Sequence, residues 1–167
     1  MAATEVELFA KLAELGIETT TVRHPPVFTV NEAKTHRGVL PGGHTKNLFL
    51  KDKKDGLWLV VALEDRKIDL KWLQRELGAG RLSFGSAALL REVLGVEPGS
   101  VTPFSLINDG TGRVQAVLDQ SMLEAEVVYY HPLVNSATTA IAPNDLLRFL
   151  DACGHPPRIM RFSEPVP

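Results

Sequence analysis

Apolar positions in this chain come in short blocks whose period keeps switching between that of a helix and that of a strand. Thr4 with Glu7 makes a capping box, and Val6, Phe9, Leu12, Ala13 and Ile17 recur near helical period until Gly16 stops the run. Glu18 to Arg23 alternates and is β-branched, which predicts a strand broken by His24-Pro25-Pro26. A second capping box, Thr29 with Glu32, predicts a short helix to about His36, followed by a loop from Gly38 to Gly43. Thr45 to Lys51 and Leu57 to Leu63 then read as a hairpin around Asp52-Lys53-Lys54-Asp55-Gly56. Asp69 caps a helix from Leu70 to Leu77, and Ser86 caps another to Leu94; Gly78 and Gly95 end them. Between these helices Arg81 to Phe84 reads as a short strand.

Pro98 to Pro103 is a punctuated loop. Beyond it strands are expected at Phe104–Ile107, Val114–Asp119, Glu126–Tyr130 and Thr138–Ala142, with Asn108 to Gly112 as the turn between the first two. A helix with Pro143 in its first turn runs to Cys153, Arg158 to Phe162 is a last strand, and Ser163 to Pro167 is a tail. Hairpin-type turns among short strands and helices do not keep the rhythm of a doubly wound parallel fold. The expected class is α+β: one domain over residues 1–167, with a mixed, mostly antiparallel sheet wrapped by helices.

Composition narrows this picture without identifying a chemistry. The chain has 167 residues, 44% of them apolar, enough for one core. Its longest apolar run, Leu57 to Leu63, is strand-sized and no signal-peptide pattern opens the chain, so a cytoplasmic protein is expected. A lone Cys153 excludes an intrachain disulfide framework and is expected to be a buried structural thiol. Net charge is −2, yet residues 33–81 carry eleven Lys/Arg against six Asp/Glu. That asymmetry permits a basic face for phosphates, and equally an ordinary solvated surface.

Three segments could carry chemistry. Gly42-Gly43 leads into Lys46-Asn47 at the start of an apolar strand, where Lys46 is either a solvent-facing lysine or an anchor for an anion or an oxygen. Gly99-Ser100-Val101-Thr102-Pro103 is either a tight turn or a nest of backbone N–H groups. His131 ends a strand, as a structural residue or as a hydrogen-bonding and proton-transfer group, with Asn135 and Thr138 in the same loop. The histidines His24, His36, His44, His131 and His155 form no HExxH, and Cys153-Gly154-His155 lacks further ligands, so no metal is expected. No G-x-S-x-G elbow, Walker A loop or GxGxxG occurs.

Four segments in this order resemble the YbaK/ProX-type aminoacyl-tRNA deacylases, relatives of the editing domain inserted in bacterial prolyl-tRNA synthetase. They are His24 to Ala33, Gly43 to Leu50, the Gly-x-x-x-Pro loop Gly99 to Pro103, and His131 to Asn135 with Thr138. The resemblance spans Leu8 to about Phe162. It implies hydrolysis of an ester between an amino acid and the terminal ribose of tRNA, with no metal or other cofactor and no nucleophilic triad. A free hydroxyl of the terminal adenosine would help orient the water. Lys46 would hold that adenosine or its phosphate. Backbone N–H groups of Gly99, Ser100 and Val101 would bind the carbonyl oxygen or the water, and His131 would position the ribose hydroxyl or the carbonyl. Thr29 and Asn47 would line a polar mouth, Val27 and Phe28 would set pocket size, and Asn135 and Thr138 would add uncharged hydrogen-bonding groups. The implied partner is mischarged tRNA(Pro), with prolyl-tRNA synthetase as a further candidate. Within the family, Asn135-Ser136-Ala137 lacks the acidic residue of the cysteinyl-type enzymes, which favours Ala-tRNA(Pro). The alternatives are a Cys-tRNA(Pro) deacylase and a non-catalytic nucleic-acid-binding module on the same fold.

Overall fold

The computed structural model describes residues 2–26 and 42–162. The helix expected from Thr29, the pocket residues Val27, Phe28 and Thr29, and the tail lie outside them. Eight strands form one mixed sheet among the described residues: β1 (Thr20–Arg23), β2 (Gly43–Lys51), β3 (Leu57–Leu63), β4 (Ser83–Phe84), β5 (Val114–Asp119), β6 (Val128–Tyr130), β7 (Ala137–Ile141) and β8 (Arg158–Met160). Their order is β1-β7-β6-β2-β3-β5-β8, with β4 paired to β2. Four pairings are antiparallel, namely β1 with β7, β6 with β7, and β2 with both β3 and β4. The pairs β2–β6, β3–β5 and β5–β8 are parallel. The helices are α1 (Glu5–Glu14), α2 (Leu70–Leu77), α3 (Ala87–Leu94) and α4 (Pro143–Ala152).

β3 is buried on both faces, which is why its sequence is continuously apolar and not alternating. Leu57, Leu59 and Val61 join a large cluster with Leu8 and Leu12 of α1, Leu90 and Leu94 of α3, and Leu146 and Phe149 of α4. Trp58, Val60 and Ala62 face the other way, into a smaller cluster with Leu73 of α2, Met160 and Phe162. The caps at Thr4, Asp69 and Ser86 each accept the expected backbone N–H.

Two expectations are corrected. Pro103–Asn108 is a 3-10 helix and not a strand. Thr102 Oγ1 accepts the Phe104 N–H at 3.3 Å and Pro103 occupies the first turn, a start that favours helical backbone over extended chain. The following turn therefore joins a helix to β5, and β5 lies parallel to β3. In α1 the buried positions are Leu8 and Leu12, whereas Val6 is 77% exposed. Polar Glu7 and Lys11 flank that face, so the apolar stripe alone does not fix its phase.

Candidate active site

The start of β2 is shaped by close packing and not by flexibility. Gly42 sits at φ 117°, and a Cβ there would stand 2.5 Å from Val127 Cγ1 and 2.8 Å from the Val127 carbonyl oxygen. Gly43 N–H donates to that carbonyl at 2.8 Å. The two glycines thus let β2 lie directly on β6. Lys46 follows, paired across the strands with Ala62. It is half-buried and its ammonium donates to the Arg66 carbonyl oxygen. Burial lowers its pKa from the usual lysine value, Asp65 opposes that shift, and the Arg66 charge adds to it. A hollow of about 450 Å³ shares Arg66 with this contact; Gly42, His44, Glu64 and Asp65 also line it. The His44 ring in its wall stacks on Tyr129 at 4.6 Å.

Strand alternation separates Lys46 from Asn47. Lys46 lies on the face of Leu48 and Leu50, and Asn47 on the face of Phe49. Asn47 Oδ1 is buried without a hydrogen-bond partner among the described residues. A buried amide oxygen left unpaired in this way is costly, which marks it as an acceptor in want of a donor.

His131, Thr138 and His24, the first residue of the His24 to Ala33 segment, gather at the β1–β7 edge. His24 Nε2 lies 2.7 Å from Thr138 Oγ1, and its Nδ1 lies 2.8 Å from the Pro25 carbonyl oxygen. The His24 and His131 rings are 6.3 Å apart. His131 Nδ1 is 2.9 Å from the Ala137 carbonyl oxygen. A carbonyl can only accept, so Nδ1 carries the proton on both rings. In the neutral ring His24 Nε2 accepts from the Thr138 hydroxyl. His131 Nε2 keeps a lone pair. Burial lowers the His131 pKa from 6.5, the hydrogen bond to Ala137 resists this, and His24 adds to the lowering. His131 is therefore a neutral acceptor near pH 7.

The loop holding His131 is strained. Buried Leu133 adopts φ 72°, a left-handed conformation that a leucine tolerates only where its surroundings force it. Asn135 sits two residues on, half-buried. The Gly99 loop is a tight turn: Ser100 N–H donates to the Glu97 carbonyl at 2.9 Å, with Gly99 at φ 90° after Pro98, the type II arrangement. The Ser100 N–H is thereby committed. The Gly99 and Val101 N–H groups have no acceptor among the described residues. Val101 packs on the large cluster, and Phe104 meets the Tyr130 ring edge-on at 5.9 Å, one residue before His131. The chain thus links the Gly99 loop to His131 through Phe104 and Tyr130, while Lys46 faces the other side of β2.

The arrangement offers a cation, a neutral acceptor and spare backbone donors. The family model of the aminoacyl-tRNA editing domain matches residues 24–149. The chain is 46% identical over 171 residues to the Bos taurus prolyl-tRNA synthetase associated domain-containing protein 1, covering 98% of this chain and 99% of that one. It is 40% identical over 149 residues to the prolyl-tRNA editing protein ProX of Acetoanaerobium sticklandii, covering 89% and 91%. A solved structure described as a candidate trans-editing enzyme for prolyl tRNA synthetase superposes with a TM-score of 0.74 at 23% identity, over 99% of this chain and 100% of that one, which shows the fold. The chain belongs to the aminoacyl-tRNA editing family and is an aminoacyl-tRNA deacylase, an ester hydrolase.

Proposed function

We propose that this deacylase removes alanine from mischarged tRNA(Pro). The observation that carries the reading is the neutral His131, its Nδ1–H spent on Ala137 and its Nε2 lone pair left as an acceptor. Such a nitrogen can take a hydrogen bond from a ribose hydroxyl, which a protonated ring cannot. Water adds to the ester carbonyl, the ribose oxygen leaves with a proton, and the amino acid departs as its carboxylate. Lys46 holds the anionic 3′ end, and the Gly99 and Val101 N–H groups receive the developing oxyanion. Asn47 Oδ1 supplies an acceptor from the opposite face of β2. The stretch after the histidine, Asn135-Ser136-Ala137, is uncharged, which suits an alanyl group.

The selectivity problem explains the need. A site built for proline rejects a smaller side chain by only about 1–3 kcal/mol per missing methylene, so a second sieve is needed. Lys51, Lys53, Lys54 and Arg81 are exposed around the β2–β3 turn, and Asp52 ties that turn to Gly80 at 2.8 Å. They offer a basic apron for the acceptor-stem phosphates, with affinity that falls as salt rises.

The test is deacylation of Ala-, Cys- and Pro-tRNA(Pro) by the purified protein, with and without EDTA. Loss of the alanyl ester alone, indifferent to EDTA, supports the reading. Preferential loss of the cysteinyl ester reassigns the substrate, and binding of tRNA without hydrolysis of any ester overturns the reading.

A further inference from the structure

We propose that Arg66 and Asp119 are positioning residues of the site: the buried Asp119 carboxylate fixes the Arg66 guanidinium, and the Arg66 main-chain carbonyl so held aims the Lys46 ammonium. The inference rests on Lys46 touching the substrate, the role assigned to it above.

Asp119 is fully buried. Its Oδ2 accepts from Arg66 Nε at 2.8 Å and from the Leu63 N–H at 3.3 Å, and its Oδ1 accepts from the Ser121 N–H at 3.0 Å. The rest of the guanidinium is also used. Nη2 donates to Ser121 Oγ at 3.1 Å and Nη1 to the Phe162 carbonyl at 3.3 Å, with the carbon of the fork 6.0 Å from the Phe162 ring centre. One side chain therefore ties the residues after β3 to the end of β5, the segment that follows it and the chain beyond β8. The same residue's carbonyl oxygen receives Lys46. A lysine on a long flexible stem is aimed by what accepts its protons, and this acceptor lies in the short connection between β3 and α2.

Burying an ion pair is costly, and an apolar pair of similar volume often stabilises as well or better. Stability alone is thus a weak reason for a buried Arg66–Asp119 pair; placement of a reactive cation is a stronger one. Charge points the same way. Asp119 neutralises the guanidinium whose charge, opposed by that of Asp65, acts on Lys46, so removing the carboxylate strengthens the cationic influence on the lysine.

The experiment compares Asp119→Asn, Arg66→Lys, Arg66→Met and the apolar double variant Arg66→Met/Asp119→Leu. It reads two quantities: the titration of Lys46 Nζ by NMR in lysine-labelled protein without substrate, and kcat and KM for Ala-tRNA(Pro). Asp119→Asn is expected to move the Lys46 titration down and Arg66→Met to move it up. A 1 Å misplacement is expected to lower kcat/KM by about 10- to 100-fold, with Arg66→Lys between these variants and wild type. Where Asp119→Asn fails to fold, the apolar double variant answers the question, because it leaves no unpaired buried charge. Folded variants with wild-type Lys46 titration and kcat/KM within twofold would overturn the proposal. If the unmodified protein hydrolyses no aminoacyl ester, the function proposed above fails, and the substrate-free titration still decides whether Arg66 and Asp119 set the lysine.

Discussion

The β2–β3 hairpin has a buried aspartate near each end, and the two do different work. At the turn, Asp52 accepts the N–H groups of Lys54, Gly56 and Gly80 at 2.8–2.9 Å and forms no ion pair among the described residues. At the open end, Asp119 accepts two N–H groups and a guanidinium. A carboxylate satisfied by backbone dipoles alone fixes the shape of its own turn. One that also grips an arginine passes order along that side chain to wherever its backbone goes. Here it goes to Lys46. The lesson is that burial and hydrogen-bond count do not distinguish a structural acid from a positioning one; the identity of the third partner does.

The strongest way to break this contrast is Lys46→Ala. It is expected to lower kcat/KM by at least about 100-fold, the size seen when one stabilising donor is lost. The fold should survive and melt no lower, because the folded pKa of Lys46 is lowered: the charged ammonium disfavours folding at neutral pH, a cost relieved only as pH rises through the folded value. Single-turnover deacylation and a thermal melt check both halves. Next in size, Asp119→Asn should cost about tenfold or more in kcat/KM, whereas Asp52→Asn should change it less than threefold. Equal losses in matched assays would erase the distinction between the two ends.

Gly42→Ala comes third and sharpens the steric side. Its Cβ meets Val127 at 2.5 Å and requires a positive φ, so a loss of about 1–3 kcal/mol is expected in urea unfolding. The smallest effects concern pH. Asp52 has a folded pKa held below its usual 3.8, first by Gly80, so its stabilisation is present above that value and fades as pH falls through the folded one. Asp52→Asn should flatten the acid limb of the stability curve. His131 acts in the same direction at higher pH: its folded pKa lies below 6.5, so the unfolded chain binds the proton first and stability drops as pH falls through that window. A pH–rate profile should lose activity over the same range, and His131→Gln should remove that acid limb.

Much of the fold is legible in local chemistry. The Thr4–Glu7, Asp69 and Ser86 caps and the Asp-Gly turn are short-range devices, and Asp55 does take φ 62°. What local pattern cannot show is pairing across distance. Phe104 to Ile107 looks like a strand in isolation, and the Thr102 cap with Pro103 turns it into helix. The site divides in the same way. Lys46, the Gly99 turn and His131 carry motifs with a stated role, whereas His24, though it opens a family-like segment, gains its role only when β7 brings Thr138 to it. Arg66 is one of many basic residues in its segment, and its weight comes wholly from where Asp119 lies. Leu133 gives no sign of its left-handed backbone, since nothing in its residue type asks for one.

The pairing of β1 with β7 has a consequence for when this protein becomes an enzyme. His24 and Thr138, bonded at 2.7 Å, are 114 residues apart in sequence. Contacts of that range form late, because the loop must close before they return anything. A chain still emerging from the ribosome carries Lys46 and the β2–β3 hairpin long before it carries β7. The histidine edge therefore completes only once β7 has been made and has paired with β1, so His24 and Thr138 come together after Lys46 and its hairpin.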